Sequence, residues 1–293
     1  MTKEQFQKYF KHEEFYSPED QARLFDACNK LPFRRELTLW GKQKRHQVVT
    51  FTDRFSPRSY GVGPTFRISE APEEIKEFRS RLSAHVSKSI DYLAIVLYED
   101  GRDYMDWHSH AEDIGYDASV YDLSLGAERF FGVRMKDDFM TAHNGKQVRR
   151  EPLYFDATPG SLITMCSEAN DLCEHCVPKA WRAKTYGRRI SINCKAVGPR
   201  VFCCRAGEQY PADAVYVGRK VTRGNVSFPD TPFGNHELLE TAEMFRDYAE
   251  LRMVDPEFAA KVESLRGKDL LCWCKGKEVE HCHAKVWLEI ANR

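Results

Sequence analysis

Residues 188–195, Arg-Arg-Ile-Ser-Ile-Asn-Cys-Lys, alternate so strictly between polar and apolar that they fit a β-strand and little else. Successive side chains of a strand point to opposite faces, so Ile190, Ile192 and Cys194 share one face and Arg189, Ser191, Asn193 and Lys195 the other. Two arrangements satisfy this pattern. At a sheet edge the charged face is simply wet. Inside a closed two-sheet fold the apolar face packs outward against helices, and the other face sends two cations and two hydrogen-bonding groups into a dry interior. Buried cations need an anionic partner, and a dicarboxylate co-substrate would be one.

The surrounding chain favours two sheets. Ser17 and Pro18 give the start signal of a helix with Ala22, Leu24, Phe25 and Cys28 on its apolar side, and residues 71–88 carry Ile75, Phe78, Leu82 and Val86 at helical spacing. Short strand-like runs follow at 92–98, 119–125, 130–135, 161–166 and 189–195, separated by turn residues as in a β-sandwich or jelly roll. The turn residues of Lys195-Ala-Val-Gly-Pro-Arg200 then divide the chain into residues 1–198 and 199–293. The second part alternates: strands at 214–219 and 269–274, helices at 235–253, 255–266 and 283–292. The expected fold class is α+β, a jelly roll with N-terminal helices plus a small C-terminal α/β domain.

Charge excludes some functions. Lys and Arg number 44, as do Asp and Glu, so no global field draws the chain to nucleic acid or an anionic membrane, and any such binding must be local. No apolar run approaches the roughly 18 residues of a membrane span, and the charged start lacks the apolar stretch of a signal peptide, so a cytoplasmic protein is expected. In that compartment the ten cysteines are thiols or metal ligands rather than a disulfide framework.

His108-Ser-His110 places two imidazoles on one face of a strand, where a third ligand completes a metal site, and His175 is the natural third. A hydrogen-bonded or solvated histidine pair is the other reading. Cys173-Glu-His175-Cys176 also has the spacing of a zinc half-site, with Cys166 and Cys194 as possible partners, and so competes for His175.

Taken in order, Tyr98-Glu-Asp-Gly-Arg-Asp-Tyr-Met-Asp-Trp-His108-Ser-His110-Ala-Glu112, Leu123-Ser-Leu-Gly126 with Arg129-Phe-Phe, Pro159-Gly-Ser-Leu-Ile, His175-Cys-Val-Pro-Lys179 and Arg189-(x)5-Lys195 resemble AlkB-type Fe(II) and 2-oxoglutarate dioxygenases over residues 55–195. The resemblance implies a double-stranded β-helix, Fe(II) and 2-oxoglutarate as cofactors, and oxidation of an alkylated base or related nucleic-acid substrate. It implies His108 and His175 as iron ligands, with His110 standing where the family has an aspartate. It implies Tyr98, Arg189 and Lys195 as contacts for 2-oxoglutarate, with Ser191 and Asn193 beside them. Glu112 matches an acidic residue that helps read the substrate, and Pro57-Arg58-Ser-Tyr60-Gly61 resembles a lid whose aromatic side chain stacks on a flipped-out base. The departures are His110 for aspartate, Lys195 for an arginine, which loses the bidentate fork, and Val96 for a co-substrate asparagine; Ser191 and Asn193 also differ from the usual pair.

Nucleic-acid contact calls for a local basic strip. Arg34, Arg35, Lys42, Lys44 and Arg45 make one excess, and Lys179, Arg182, Lys184 and Arg188 another, each of which is otherwise a solvated face. In the second domain Cys272, Cys274, Cys282 and His283 could bind zinc, with a nucleotide or redox site as competitor. That domain resembles an uncharacterised type found in phage and bacterial proteins, through Val215-Tyr-Val-Gly-Arg219, Pro232-Phe-Gly-Asn235, Cys272-Trp-Cys274 and Cys282-His283. Three functions compete: oxidation of a nucleic-acid base; hydroxylation of a nucleoside, small molecule or protein; and non-catalytic nucleic-acid binding.

Overall fold

The strand at Arg189–Lys195 is buried at all seven positions, so the edge arrangement is excluded. Arg189 is 0% and Lys195 3% exposed. Burying Ile190 and Ile192 contributes roughly 3–6 kcal/mol, while each ion taken out of water costs several kcal/mol; the strand is stable where it is only if its cations are compensated.

The computed structural model describes every residue except 38–41, 54–63, 111–118, 142, 144, 181–186, 205–209, 224 and 274–281. The chain divides into two compact units, Met1–Val197 and Gly198–Arg293. In the first, the helices are α1 (Lys3–Tyr9), α2 (Pro18–Asn29), α3 (Glu73–Val86) and α4 (Ser167–Leu172). The strands are β1 (Phe10–Glu14), β2 (Arg34–Leu37), β3 (Gln43–Thr52), β4 (Thr65–Phe66), β5 (Tyr92–Tyr98), β6 (Met105–His108), β7 (Val120–Gly126), β8 (Arg129–Met135), β9 (Phe139–Thr141), β10 (Gln147–Arg149), β11 (Leu153–Ala157), β12 (Ser161–Met165), β13 (Cys173–Val177) and β14 (Arg189–Lys195). Two sheets form a double-stranded β-helix: a major sheet in the order β1-β12-β7-β14-β5-β3-β2, with β4 beside β3, and a minor sheet in the order β11-β8-β13-β6. The jelly roll read from the sequence is the fold of this unit.

Helices cover one side of the major sheet. Ser17 Oγ accepts from the Asp20 amide at 3.2 Å and Pro18 occupies the first turn, which starts α2. Leu24 and Cys28 of α2 and Ile75, Phe78 and Leu82 of α3 pack with Ile190, Ile192 and Cys194 in one core. Apolar-out, polar-in is thereby fixed along β14 and along its neighbours. On β14, Arg189 lies opposite Tyr98 on one side and Gly126 on the other, Ser191 opposite Ser124, and Asn193 opposite Asp122. Gly126 has φ +79°, and a Cβ there would lie 2.5 Å from the Arg188 carbonyl oxygen, so the turn after β7 admits only glycine.

The second unit holds β15 (Val201–Cys203), β16 (Val215–Tyr216), β17 (Val221–Arg223), β18 (Val226–Phe228) and β19 (Leu270–Cys272), with helices α5 (Ala242–Arg252), α6 (Pro256–Glu263) and α7 (His283–Ala291). A parallel sheet runs β15-β19-β16, and β17 and β18 form a hairpin. Trp287 anchors the core among Phe233, Phe245 and Phe258, its indole N–H donating to the Phe233 carbonyl at 2.7 Å. The helix expected over 235–253 begins only at Ala242. Asn235 closes a turn on Leu239, accepting from its amide and donating to its carbonyl, and Thr241 then caps α5. Among the described residues no helix is long and apolar enough to cross a membrane.

Candidate functional site

His108 ends β6 and faces His175, its paired residue on β13, while His110 lies two residues beyond. Ring centroids are 4.2 Å apart for His108 and His175, 4.9 Å for His110 and His175, and 5.0 Å for His108 and His110. One ring nitrogen from each lies within 4.8 Å of the other two. His108 Nδ1 lies 2.9 Å from the Asp106 carbonyl oxygen. A carbonyl only accepts, so the proton sits on Nδ1 and Nε2 keeps a lone pair for a metal. His110 Nε2 is buried with no hydrogen-bond partner among the described residues, and the His110 amide donates to Asn170 Oδ1 at 3.3 Å. The Phe131 ring stacks on His175.

Burial drives all three imidazoles below the ordinary histidine pKa; Lys195 presses on each in the same direction, and His108 and His175 on His110. They are neutral, the form that ligates metals. Three neutral nitrogen donors, one with an orphaned buried lone pair, fit a divalent iron, cobalt, nickel or zinc ion.

Beside the triad lies a polar interior built by β14, β7 and β5. Arg189 Nη2 donates to Ser124 Oγ at 3.0 Å and the guanidinium also interacts with the Tyr98 hydroxyl, whereas by strict hydrogen-bond geometry its buried Nε and Nη1 have no partner among the described residues. Its guanidinium lies 5.3 Å from the Tyr98 ring centroid, and burial raises the Tyr98 phenol, which stays protonated. A buried guanidinium with two nitrogens lacking an acceptor among the described residues is costly to leave so, and a carboxylate is its natural acceptor. Lys195 reaches 5.1 Å from the Tyr92 ring centroid. Ser191 and Asn193 bond to Asp122, Ser191 Oγ at 2.5 Å from its Oδ1. Burial nevertheless pushes the Asp122 carboxyl up, against the pull of Arg189.

Asp122 was not anticipated. Its signal is present in Val120-Tyr-Asp-Leu-Ser-Leu-Gly126, where Asp122 and Ser124 fall in phase on the face opposite Leu123 and Leu125. His46 on β3 was also missed. It packs 6.1 Å from Tyr98 between ring centroids, bonds the Tyr104 carbonyl at 3.2 Å, and is brought down to about 4 by burial. Arg129, 2% exposed, donates to the carbonyls of Asp100, Asp103 and Pro178 and so holds the turn leading into β6.

Arg58, Tyr60, Glu112 and Cys274 lie outside the described residues. Cys173 and Cys176 are buried thiols raised to about 11 and about 12 by desolvation, and the group that gathers with His175 is His108 and His110 rather than these sulfurs. In the second unit Cys272, Cys282 and His283 do come together. Of the basic residues, Arg35 is bonded to Asp103, Lys44 to Glu36 and Arg188 to Glu99. Arg45 and Lys179, one from each basic stretch, meet with Arg102, Tyr104, Trp107 and Tyr154 along a groove of about 470 Å³.

Residues 9–195 match the family model described as the 2OG-Fe(II) oxygenase superfamily, and residues 203–293 match a domain of unknown function, DUF4326. The alpha-ketoglutarate-dependent dioxygenase alkB homolog 3 of Mus musculus is 28% identical over 184 residues, covering 60% of this chain and 61% of that protein. The homologue of the same name from Rattus norvegicus is 28% identical over 122 residues, 41% of this chain and 40% of its own. This chain thus spans between two fifths and three fifths of the length of those relatives. Among solved structures, OsALKBH1 is 15% identical with a TM-score of 0.44, covering 64% of this chain and 97% of that one. A prolyl hydroxylase from Trichoplax adhaerens, solved with a hypoxia inducible factor peptide, is 11% identical with a TM-score of 0.43, covering 65% and 84%.

Proposed function

The chain belongs to the 2OG-Fe(II) oxygenase superfamily through residues 9–195, and on that premise we propose that it is a cytoplasmic Fe(II)- and 2-oxoglutarate-dependent dioxygenase that oxidises a nucleic-acid base. The observation that carries the reading is the meeting, in one jelly-roll interior, of three neutral imidazoles with a buried guanidinium whose Nε and Nη1 lack acceptors among the described residues. His108, His110 and His175 would hold the iron. Arg189 and Lys195 would take the carboxylates of 2-oxoglutarate, beside Tyr98. Iron held there supplies, with O₂ and 2-oxoglutarate, the oxidising chemistry that yields succinate and CO₂ and puts one oxygen into a substrate C–H bond. The protein's own part is to keep ligands, dicarboxylate and target carbon in one dry pocket. On an N-methyl group the hydroxylated product collapses to formaldehyde and the free base; on a carbon-linked methyl, hydroxylation is the end point.

The substrate class rests on the similarity to the alkB homologues. The groove runs beside the outer face of β6 and β13, since its Trp107 and Cys176 alternate with His108 and His175; there Arg45 and Lys179 would hold phosphates of the strand flanking the target base, with Tyr104 and Tyr154 beside them. Arg58, Tyr60 and Glu112 would read the base, and the second unit would aid recognition.

The test is succinate and formaldehyde production by the full chain with Fe(II), 2-oxoglutarate and, in turn, N-methylated single-stranded oligonucleotide, the matching free nucleoside, and peptide. Oligonucleotide-stimulated turnover that weakens with salt is expected. Stimulation by nucleoside or peptide alone moves the substrate to that class, and an absence of succinate from iron-loaded protein under all conditions makes the unit a binding protein.

A further inference from the structure

In the second unit β15, β19 and β16 run parallel, so their carboxyl ends lie on one side, which is where open α/β sheets bind ligands. Cys272 is the last residue of β19, Cys282 is the N-cap of α7 and His283 its first residue. Strand end and helix start thus bring two sulfurs and an imidazole nitrogen within 4.8 Å of one another. We propose that Cys272, Cys282 and His283 form, with the cysteines as thiols, a binding site for a thiophilic divalent cation such as Zn(II). This site is independent of the oxygenase reading.

Two features distinguish the cluster from a chance meeting. The first is the tautomer of His283. Its Nε2 lies 3.0 Å from the Val217 carbonyl oxygen, which can only accept, so Nε2 carries the proton and Nδ1 keeps a lone pair, with Cys272 Sγ beside the ring at 3.6 Å from Nδ1 and 3.8 Å from Nε2. Metal-ligating histidines are oriented by such a bond from their other nitrogen. The second is spacing. Cys272 Sγ is 3.6 Å from His283 Nδ1, and a tetrahedral zinc site with ordinary bond lengths gives a sulfur–nitrogen edge of about 3.5 Å. Both cysteines are buried, at 1% and 3% exposure, so the donor set is shielded from water.

Cys282 is half of a disulfide. Reduction by a dithiol, which is itself oxidised to a disulfide, delivers two electrons and two protons to that bridge and frees the Cys282 thiol. Binding then replaces two S–H bonds with two sulfur–metal bonds and releases two protons to solvent.

Cobalt(II) is the probe, because a thiolate-to-cobalt charge-transfer band in the near ultraviolet reports sulfur ligation, which the all-histidine cluster of the first unit cannot give. The full chain carrying His175→Ala is reduced with a dithiol, freed of dithiol and of metal under anaerobic conditions, and titrated. The expected result is one equivalent of cobalt with that band, lost on addition of Zn(II), absent in Cys272→Ser, and shifted to at least tenfold weaker cobalt binding in His283→Gln. Far-ultraviolet circular dichroism and Trp287 emission show that each variant is folded. Absence of the band from the reduced, folded chain overturns the site, as does a band of unchanged strength in both Cys272→Ser and Cys282→Ser. A disrupted fold in the serine variants leaves the parent titration and folded His283→Gln to decide, and unchanged cobalt affinity in the latter overturns the assignment.

Discussion

His108 and His175 are paired across β6 and β13 with ring centroids 4.2 Å apart, and the ladder becomes irregular immediately after them, between His175 and Val177. Two adjacent strands of the minor sheet therefore deliver both imidazoles to one point. His175→Ala should weaken Fe(II) binding at least a hundredfold while the jelly roll remains folded. Normal succinate yield from this variant would remove the triad from the reaction.

Arg189 is the second anchor of the account. Its Nε and Nη1, without acceptors among the described residues, call for an external carboxylate, and breaking a buried charged pair costs about 2–5 kcal/mol. Arg189→Met should accordingly raise the 2-oxoglutarate KM by a factor of at least about 30, by the same conversion, with Arg189→Lys between the two. An unchanged KM in folded Arg189→Met protein would place the co-substrate elsewhere.

Asp122 makes a prediction together with His110. On the proposed assignment, His110 in place of a carboxylate ligand would take one negative charge from the interior, and Asp122, held by Ser191 and Asn193, would return one when ionised. Asp122→Asn and His110→Asp alone should each weaken assembly of the Fe(II) and 2-oxoglutarate complex about tenfold. The double variant should recover most of the loss. Strict additivity in this double-mutant cycle would show that the two sites are not coupled.

Acid sensitivity follows from His46, which burial holds at about 4 from an unfolded value near 6.5. Its pKa is depressed in the folded state, so the unfolded chain binds the proton more tightly. Stability is full above about pH 6.5 and falls as pH drops toward 4, by at most about 3 kcal/mol from this residue. His108, His110 and His175, lowered in the same direction, add to the effect. Thermal denaturation of the metal-free chain from pH 7.5 to 4.5 should show Tm falling below pH 6.5, with a shallower fall in His46→Gln. Parallel curves for both proteins would rule His46 out.

The fold was legible wherever one strand face was buried. The alternation of residues 189–195 fixed both faces of β14, and helical spacing in 71–88 marked α3, which ends at Val86 with Ser87 in the left-handed region at φ 53°. What escaped the sequence depended on contacts made far along the chain. Asp122 reads as an ordinary strand acid until Ser191 and Asn193 arrive opposite it, and His46 gains its character from burial against Tyr98. In the second unit, local hydrogen bonds of Asn235 override the helical spacing of 235–241. Among the proposed site residues, the histidine triad was visible because two of its members are two residues apart; the pairing of Arg35 with Asp103 and of Arg188 with Glu99, which removes part of the basic strip, was not.

The most direct test of the central claim is anaerobic titration of the metal-free chain with Fe(II) and 2-oxoglutarate, recording the visible metal-to-ligand charge-transfer band of a chelated 2-oxo acid. The account predicts a saturable band at one iron per chain, abolished by His175→Ala and requiring far more 2-oxoglutarate in Arg189→Met. No band from folded, reduced wild-type protein, or one indifferent to both substitutions, would contradict it.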